Sequence, residues 1–156
     1  MEALRFLELS LRQFSLKSVP WDEMNWEEPG PLADVPVEPS EILAHYLFRS
    51  EIRSDNSLKP DAVMPHPYED LSVTRHKNLT EEQIWECAKI VAGKQGRRLF
   101  GRTDFLANNL PKPLVVKPDE PPCNHAGIFG WPSERSDQMA KALMFAAKCV
   151  CKKVPC

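Results

Sequence analysis

The sequence predicts an α+β fold in which a small three- or four-stranded sheet is covered by helices, with an N-terminal helix and an extended acidic, proline-rich arm before it. Three observations lead to this prediction. Apolar residues recur at helical spacing in several stretches, shorter stretches alternate polar and apolar residues, and the chain holds fifteen prolines. That proline content is nearly twice the average share of about 5%, so we expect short elements joined by ordered loops.

Residues 1–39 are predicted to form an appendage. An amphipathic helix is predicted for residues 2–16, with an apolar face made of Leu4, Leu7, Leu11 and Phe14. We expect this helix to pack on the core, with docking on a partner or on a second copy as the alternative. Residues 18–39 contain five prolines, which disfavour regular structure. This arm is acidic, and its two tryptophans, Trp21 and Trp26, are suited to pinning it across the body.

The body is predicted to span residues 40–150. Ser40 is a candidate N-cap for a short helix over residues 41–48, on which His45 and Arg49 would share a side. Residues 71–74 alternate as a strand does, and this strand delivers Arg75 and His76 at its end.

The helix after residue 80 has the clearest signals. Thr80 and Gln83 match a capping box, apolar residues follow at helical spacing, and Gly93 is the expected stop. Strands are predicted around residues 98–101, 114–117 and 125–131, with a short helix over residues 103–110. Ser133 is the predicted cap of a final helix, and residues 151–156 are predicted to form a flexible tail.

Charge is unevenly distributed along the chain. The net charge is −2 and the pI about 6.1, which argues against a surface built to attract duplex DNA. Residues 19–48 hold seven acids and no Lys or Arg, whereas the chain from Arg49 onward has seventeen basic and thirteen acidic residues. An acidic arm preceding a mildly basic body could fold back on it or meet another basic surface.

The five cysteines and the hydropathy predict a cytoplasmic, reduced protein. Their number is odd, residues 1–20 lack the features of a secretory signal, and no run of eighteen apolar residues predicts a membrane span. A zinc site made of Cys123, His125, Cys149 and Cys151 has unsuitable spacing, so no metal and no cofactor is expected.

Histidines and arginines supply the candidate site. His76 and His125 are candidate proton-transfer groups, because two imidazoles can divide general acid and base work. The candidate ligand-binding residues, chosen as anion holders or polar neighbours of these histidines, are Arg75, Arg102, Asn124, His45 and Arg49. The hypothesis requires three distant segments to meet at one cleft.

Two functions follow from these features. The first is a binding module whose basic body and acidic arm serve a protein partner or a homo-oligomer. The alternative is a metal-independent enzyme that binds or hydrolyses phosphate esters, with RNA, a nucleotide or another phosphate-bearing small molecule as substrate. The sequence contains no Gly-x-Ser-x-Gly elbow and no phosphate-binding P-loop.

Overall fold

A computed structural model describes residues 28–65 and 70–155. Within these residues the chain forms one antiparallel sheet, two α-helices and two short 3-10 turns. In chain order these are β1 (Ile42–Leu47), a 3-10 turn (Pro60–Val63), β2 (Leu71–Arg75), α1 (Glu81–Gln95), β3 (Gly101–Leu106), a 3-10 turn (Ala107–Asn109), β4 (Val115–Pro118), β5 (His125–Phe129), α2 (Arg135–Ala146) and β6 (Val150–Lys153).

The sheet has six strands in the order β4-β5-β2-β1-β3-β6, and every neighbouring pair is antiparallel. The prediction of a small three- or four-stranded sheet covered by helices is therefore wrong. The sheet is larger because two segments not expected in it form strands. Residues 42–47, expected to be helical, form the central strand β1. Residues 150–153, expected at the end of the last helix and in the tail, form the edge strand β6.

The two α-helices lie on opposite faces of the sheet. Leu43 and Leu47 of β1 share one apolar cluster with Phe145 of α2, and we call this side the α2 face. Ala44 and Tyr46 alternate to the other side and pack with α1, so we call that side the α1 face. Both sides of β1 are thus buried, which fixes the register of the central strand.

Residues 41–48 were predicted to be helical, and this prediction is wrong. The segment Ile42–Leu47 is almost wholly apolar, and a strand buried on both faces shows no period-two alternation. In so short an apolar run, the spacing of the residues fits one face of a helix as well as a strand buried on both sides. The expectation that His45 and Arg49 share one side of a helix is therefore wrong as well.

Other boundaries also differ from the predictions. Residues 101–106 form β3, where a short helix and an earlier strand were expected. Helix α2 has Glu134, not Ser133, at its N-cap, with no side-chain capping bond. The predicted N-terminal helix and the first part of the acidic arm lie outside the described residues.

The capping box of α1 is confirmed. Thr80 Oγ1 accepts a hydrogen bond from the Gln83 N–H at 3.2 Å, and the Thr80 N–H donates to Gln83 Oε1 at 3.0 Å. The helix runs past Gly93 and ends at Gly96, which has φ of +61°. Glycine adopts this left-handed conformation without the steric cost that a Cβ imposes.

Candidate functional site

Arg75 ends β2 and lies completely buried. Its Nε and Nη2 donate to the two carboxylate oxygens of Glu41 at 2.8 and 2.9 Å. Nη1 donates to the carbonyls of Val35 at 2.7 Å and Leu32 at 3.2 Å, and Nη2 also donates to the carbonyl of Pro36 at 3.2 Å. All five guanidinium N–H donors therefore have acceptors. The side chain ties the acidic segment to the sheet.

Arg102 is the second completely buried arginine. Its Nε and Nη2 donate to the two oxygens of Asp104 at 3.0 and 3.1 Å, and Nη2 donates to Glu81 Oε2 at 2.7 Å. Buried Nη1 has no hydrogen-bond partner among the described residues. The guanidinium carbon lies 4.6 Å from the centroid of the Trp85 ring, so a cation–π contact offsets part of that loss.

His76 and Lys152 complete this group, which we call the ion network (His76, Glu81, Arg102, Asp104, Lys152). His76 Nε2 donates to Asp104 Oδ1 at 3.2 Å, and Lys152 Nζ lies 3.7 Å from Asp104 Oδ2 and 3.6 Å from Glu81 Oε1. Burial raises the pKa of Asp104, but hydrogen bonds from His76 and Arg102 outweigh it and leave the pKa below its ordinary value.

Asn124 immediately precedes β5, and His125 is the first residue of that strand. The Asn124 amide donates to the carbonyls of Arg75 and Lys77, both at 2.9 Å, and its φ of +64° is one that asparagine tolerates. His125 Nδ1 donates to the Asp119 carbonyl at 2.7 Å. Asn124 therefore joins the loop before β5 to the end of β2.

His45 lies in β1 between the leucines of the α2 face. Its Nδ1 donates to the Ser72 carbonyl at 2.9 Å. Burial lowers the pKa of His45, although backbone hydrogen bonds oppose that shift, so the imidazole favours its neutral form. Arg49 is exposed beyond the end of β1. Among the described residues, no hydrogen bond or ion pair joins the side chain of either residue to the ion network.

The structure joins the backbones of two of the three predicted segments, those at Arg75 and Asn124, whereas β1 separates the third, at Arg102, from them. The two arginines also lie on different faces of the sheet. Arg75 pairs with Leu43 and thus belongs to the α2 face, whereas Arg102 pairs with Tyr46 and belongs to the α1 face. The Arg75 N–H donates to the Asn124 carbonyl at 2.8 Å. One phosphate could not contact both guanidinium groups.

The two histidines belong to different environments. His76 donates to a carboxylate of the ion network, and His125 lines a separate cleft. Paired acid and base chemistry by these imidazoles stays a prediction.

This cleft lies between α1 and the α1 face of the sheet and has a volume of about 220 Å³. Its buried lining includes Cys87 and Tyr46, and its exposed lining includes Lys94 and Gln95. The whole lining comprises Tyr46, Ser72, Val73, Thr74, Cys87, Val91, Lys94, Gln95, Pro122, Cys123 and His125. Apolar atoms form most of its walls. Such a concave surface with a few polar groups is the usual form of a binding site.

The two cysteines of the cleft are poor nucleophiles. Burial raises the pKa of Cys87 to about 12 and that of Cys123 to about 11, so both thiols are protonated near neutral pH. Tyr46 is equally constrained, since its hydroxyl donates to the Ile84 carbonyl at 3.0 Å and burial raises its pKa. The cleft therefore offers shape and apolar contact more than reactivity.

The zinc ligand set weighed from the sequence does not converge. Cys123 and His125 lie at β5, Cys151 lies in β6, and three strands separate β5 from β6. Among residues 28–65 and 70–155, no three His, Cys, Asp or Glu side chains are grouped to hold a metal ion.

Sequence reasoning missed the carboxylates that pair with the arginines. Arg102 and Asp104 are two residues apart, and in a strand such residues share a face. That spacing would have revealed the pair if residues 101–106 had been read as a strand. Glu41 immediately precedes β1 and Glu81 is the first residue of α1, and their arginine partners are distant in sequence, so no local signal identifies these two pairs.

No protein-family model, curated protein or solved structure matches this chain. Over the part of the chain that the structure describes, no helix is both long enough and apolar enough to cross a membrane. Function must therefore be argued from the geometry of the site itself.

Proposed function

We propose that this protein is a binding module, and that the cleft beside α1 receives an apolar side chain from a protein partner. The size of the cleft carries this proposal. Pockets that bury small ligands usually measure about 300 to 1,000 Å³, and this cleft, at about 220 Å³, is smaller. Single aromatic or aliphatic anchors that fill pockets of this kind supply much of the binding energy of protein interfaces.

The charged groups support binding over catalysis. Arg75 donates all five of its N–H groups within the protein, and Arg102 is held between two carboxylates and an indole ring. Arg75 has no spare donor, and the unpartnered Nη1 of Arg102 is completely buried, so neither guanidinium is placed to stabilise charge on a reacting phosphate.

The rim of the cleft indicates the chemistry of the partner. Lys94 is exposed at the rim, and among the described residues no carboxylate lies within 4.0 Å of its ammonium group. A partner segment that carries a large apolar side chain next to an Asp or Glu would fill the cleft and pair with this lysine.

Residues 20–29 of this chain, PWDEMNWEEP, have that chemistry and make a suitable probe. We would label a synthetic peptide of this sequence and measure its binding to the full chain by fluorescence polarisation. Val91→Trp should fill the cleft and weaken binding at least about tenfold, or about 1.4 kcal/mol. Replacing both tryptophans of the peptide with alanine should have a similar effect.

Lys89→Gln is the matched control, because Lys89 is exposed on α1 and does not line the cleft. It should leave binding unchanged, and circular dichroism should show that Val91→Trp is folded. The proposal fails if the peptide does not bind or if Val91→Trp binds it as well as the parent protein does. Self-association by the same chemistry would appear as dimers in light scattering of the full chain.

A further inference from the structure

Two arginines lie over phenylalanine rings just beyond the C-terminal end of α1. The guanidinium carbon of Arg97 is 4.7 Å from the centroid of the Phe48 ring, and that of Arg98 is 5.1 Å from the Phe100 centroid. Both arginines are exposed, and Phe100 is 38% exposed. We call these four residues the cationic strip.

The sheet places the two stacks side by side. Leu47 is paired with Gly101 at the end of the β1–β3 ladder, and the Phe100 N–H donates to the Leu47 carbonyl at 2.8 Å. Phe48 and Phe100 are the next residues beyond that pair, so their rings come from neighbouring strands about 5 Å apart. Side chains alternate along a strand and Leu47 belongs to the α2 face, so Phe48 and Phe100 belong to the α1 face.

Within residues 28–65 and 70–155, the cations of the strip have no counter-charge at ion-pair distance. Among the described residues, no carboxylate lies within 4.0 Å of Arg97 or Arg98. Glu51 interacts electrostatically with Arg97 without reaching ion-pair distance. Lys94, exposed in the last turn of α1, adds a third cation to this end of the helix.

A guanidinium held over an aromatic ring loses little side-chain entropy on binding, and its N–H edge stays directed outward. Such groups bind phosphate through their N–H donors, while the exposed plane and the partly exposed ring can stack against bases. An acidic peptide would use the charges but not these π faces. The arrangement therefore fits bases and phosphates together better than carboxylates alone.

We propose that the cationic strip, together with the neighbouring Lys94, binds single-stranded nucleic acid. Arg97, Arg98 and Lys94 contact two or three phosphates, and a base stacks on Phe100. This site shares Lys94 with the rim of the cleft, but none of the four residues of the strip lines the cleft, so it is distinct from the protein-binding role proposed there. It also differs from the buried arginines on which the sequence-based hydrolase hypothesis relied.

The test measures binding of a fluorescein-labelled RNA of about ten nucleotides by anisotropy, with single-stranded DNA, duplex DNA and a poly-glutamate peptide as competitors. The plot of log K against log salt should have a slope of about −1.5 to −2, as expected for two or three phosphates on a single strand. Single strands should compete better than the duplex or the peptide.

Variants locate the site. Arg97→Gln with Arg98→Gln should weaken binding at least about tenfold, and Phe100→Leu should weaken it about fivefold or more through lost stacking. Lys117→Gln is the matched control, since Lys117 Nζ lies 5.8 Å from the Phe129 ring centroid at the far edge of the sheet. It should change affinity by less than about twofold, as for a cation outside the site.

Three outcomes would overturn the inference: no RNA binding at low salt, equal competition by poly-glutamate or duplex, or an equal loss from Lys117→Gln. Val91→Trp, which fills the cleft, should leave RNA binding intact. RNA binding by Val91→Trp therefore distinguishes a failure of the nucleic-acid proposal from a failure of the protein-binding proposal.

Discussion

Asp104 holds the ion network together, because its two oxygens accept hydrogen bonds from side chains of different strands and loops. It neutralises the completely buried Arg102 and receives the His76 N–H. A buried cation that loses its carboxylate keeps its desolvation cost without its main compensation.

Asp104→Ala should therefore lower the free energy of unfolding by about 3 to 5 kcal/mol. Urea denaturation followed by circular dichroism measures this change. Asp70→Ala is the control, since Asp70 is exposed and should shift stability by less than about 0.5 kcal/mol. Equal, small effects of the two substitutions would contradict the structural role of Asp104.

Acid should destabilise the protein through Glu41 and Asp104. Burial raises the pKa of Glu41, but Arg75 and the Glu38 backbone N–H outweigh it, so the folded pKa lies below 4.5, and that of Asp104 lies below 3.8. The unfolded chain then binds more protons at low pH. The stabilisation that the ionised Glu41 and Asp104 provide is complete above pH values of 4.5 and 3.8, respectively. It is lost as the pH falls through the lower pKa values that these groups have in the folded protein.

Urea unfolding measured from neutral pH down to about pH 3 should show falling stability below about pH 4.5. Glu41→Gln should reduce the slope of this decline, because one of the two groups no longer titrates. A parent protein with constant stability across this range would contradict the assignment.

Among the elements, local signals predicted α1 but failed for β1 and β3. The capping box of α1 depends on residues three apart, so it can be read directly from the sequence. Strand β1 is buried by neighbours distant in sequence, and β3 carries the charged pair Arg102 and Asp104, which usually indicates a loop. Both strands are understood only when the opposite helix and strands are known.

Thr80→Ala should lower the free energy of unfolding by about 1 kcal/mol, the usual cost of losing an N-cap side chain. Ser133→Ala should cost less than about 0.5 kcal/mol, because α2 has no side-chain cap in the structure. Thermal or urea unfolding of the two variants compares them directly. A larger effect from Ser133→Ala would favour the cap position read from the sequence.

The fold places the acidic segment and the cationic strip at opposite ends of the central strand. Glu41 and the segment before it contact Arg75 at the start of β1, while the cationic strip lies beyond its end. The six residues of β1 span about 20 Å, so the two charged regions occupy opposite ends of the sheet. The sequence showed the asymmetry, but only the strand register shows where each part lies.

A shortened chain starting at Glu28 should be more stable than one starting at Pro39, since the latter lacks the carbonyls of Leu32, Val35 and Pro36. Hydrogen bonds to charged groups contribute about 1.5 to 3 kcal/mol each, so we expect a difference of at least about 3 kcal/mol. Parallel urea titrations of the two chains measure it. Equal midpoints would show that Arg75 does not need this segment.

The three hydrogen bonds from Arg75 to the carbonyls of Leu32, Val35 and Pro36 also offer a path for mechanical load. A pulling force applied through the segment before Leu32 reaches the guanidinium and is passed to β2, an interior strand with neighbours on both sides. The same segment leads along the chain into β1, so the load is shared between β2 and β1, both interior strands of the sheet. A partner that pulls on this segment would therefore load the interior of the sheet before the edge strands β4 and β6.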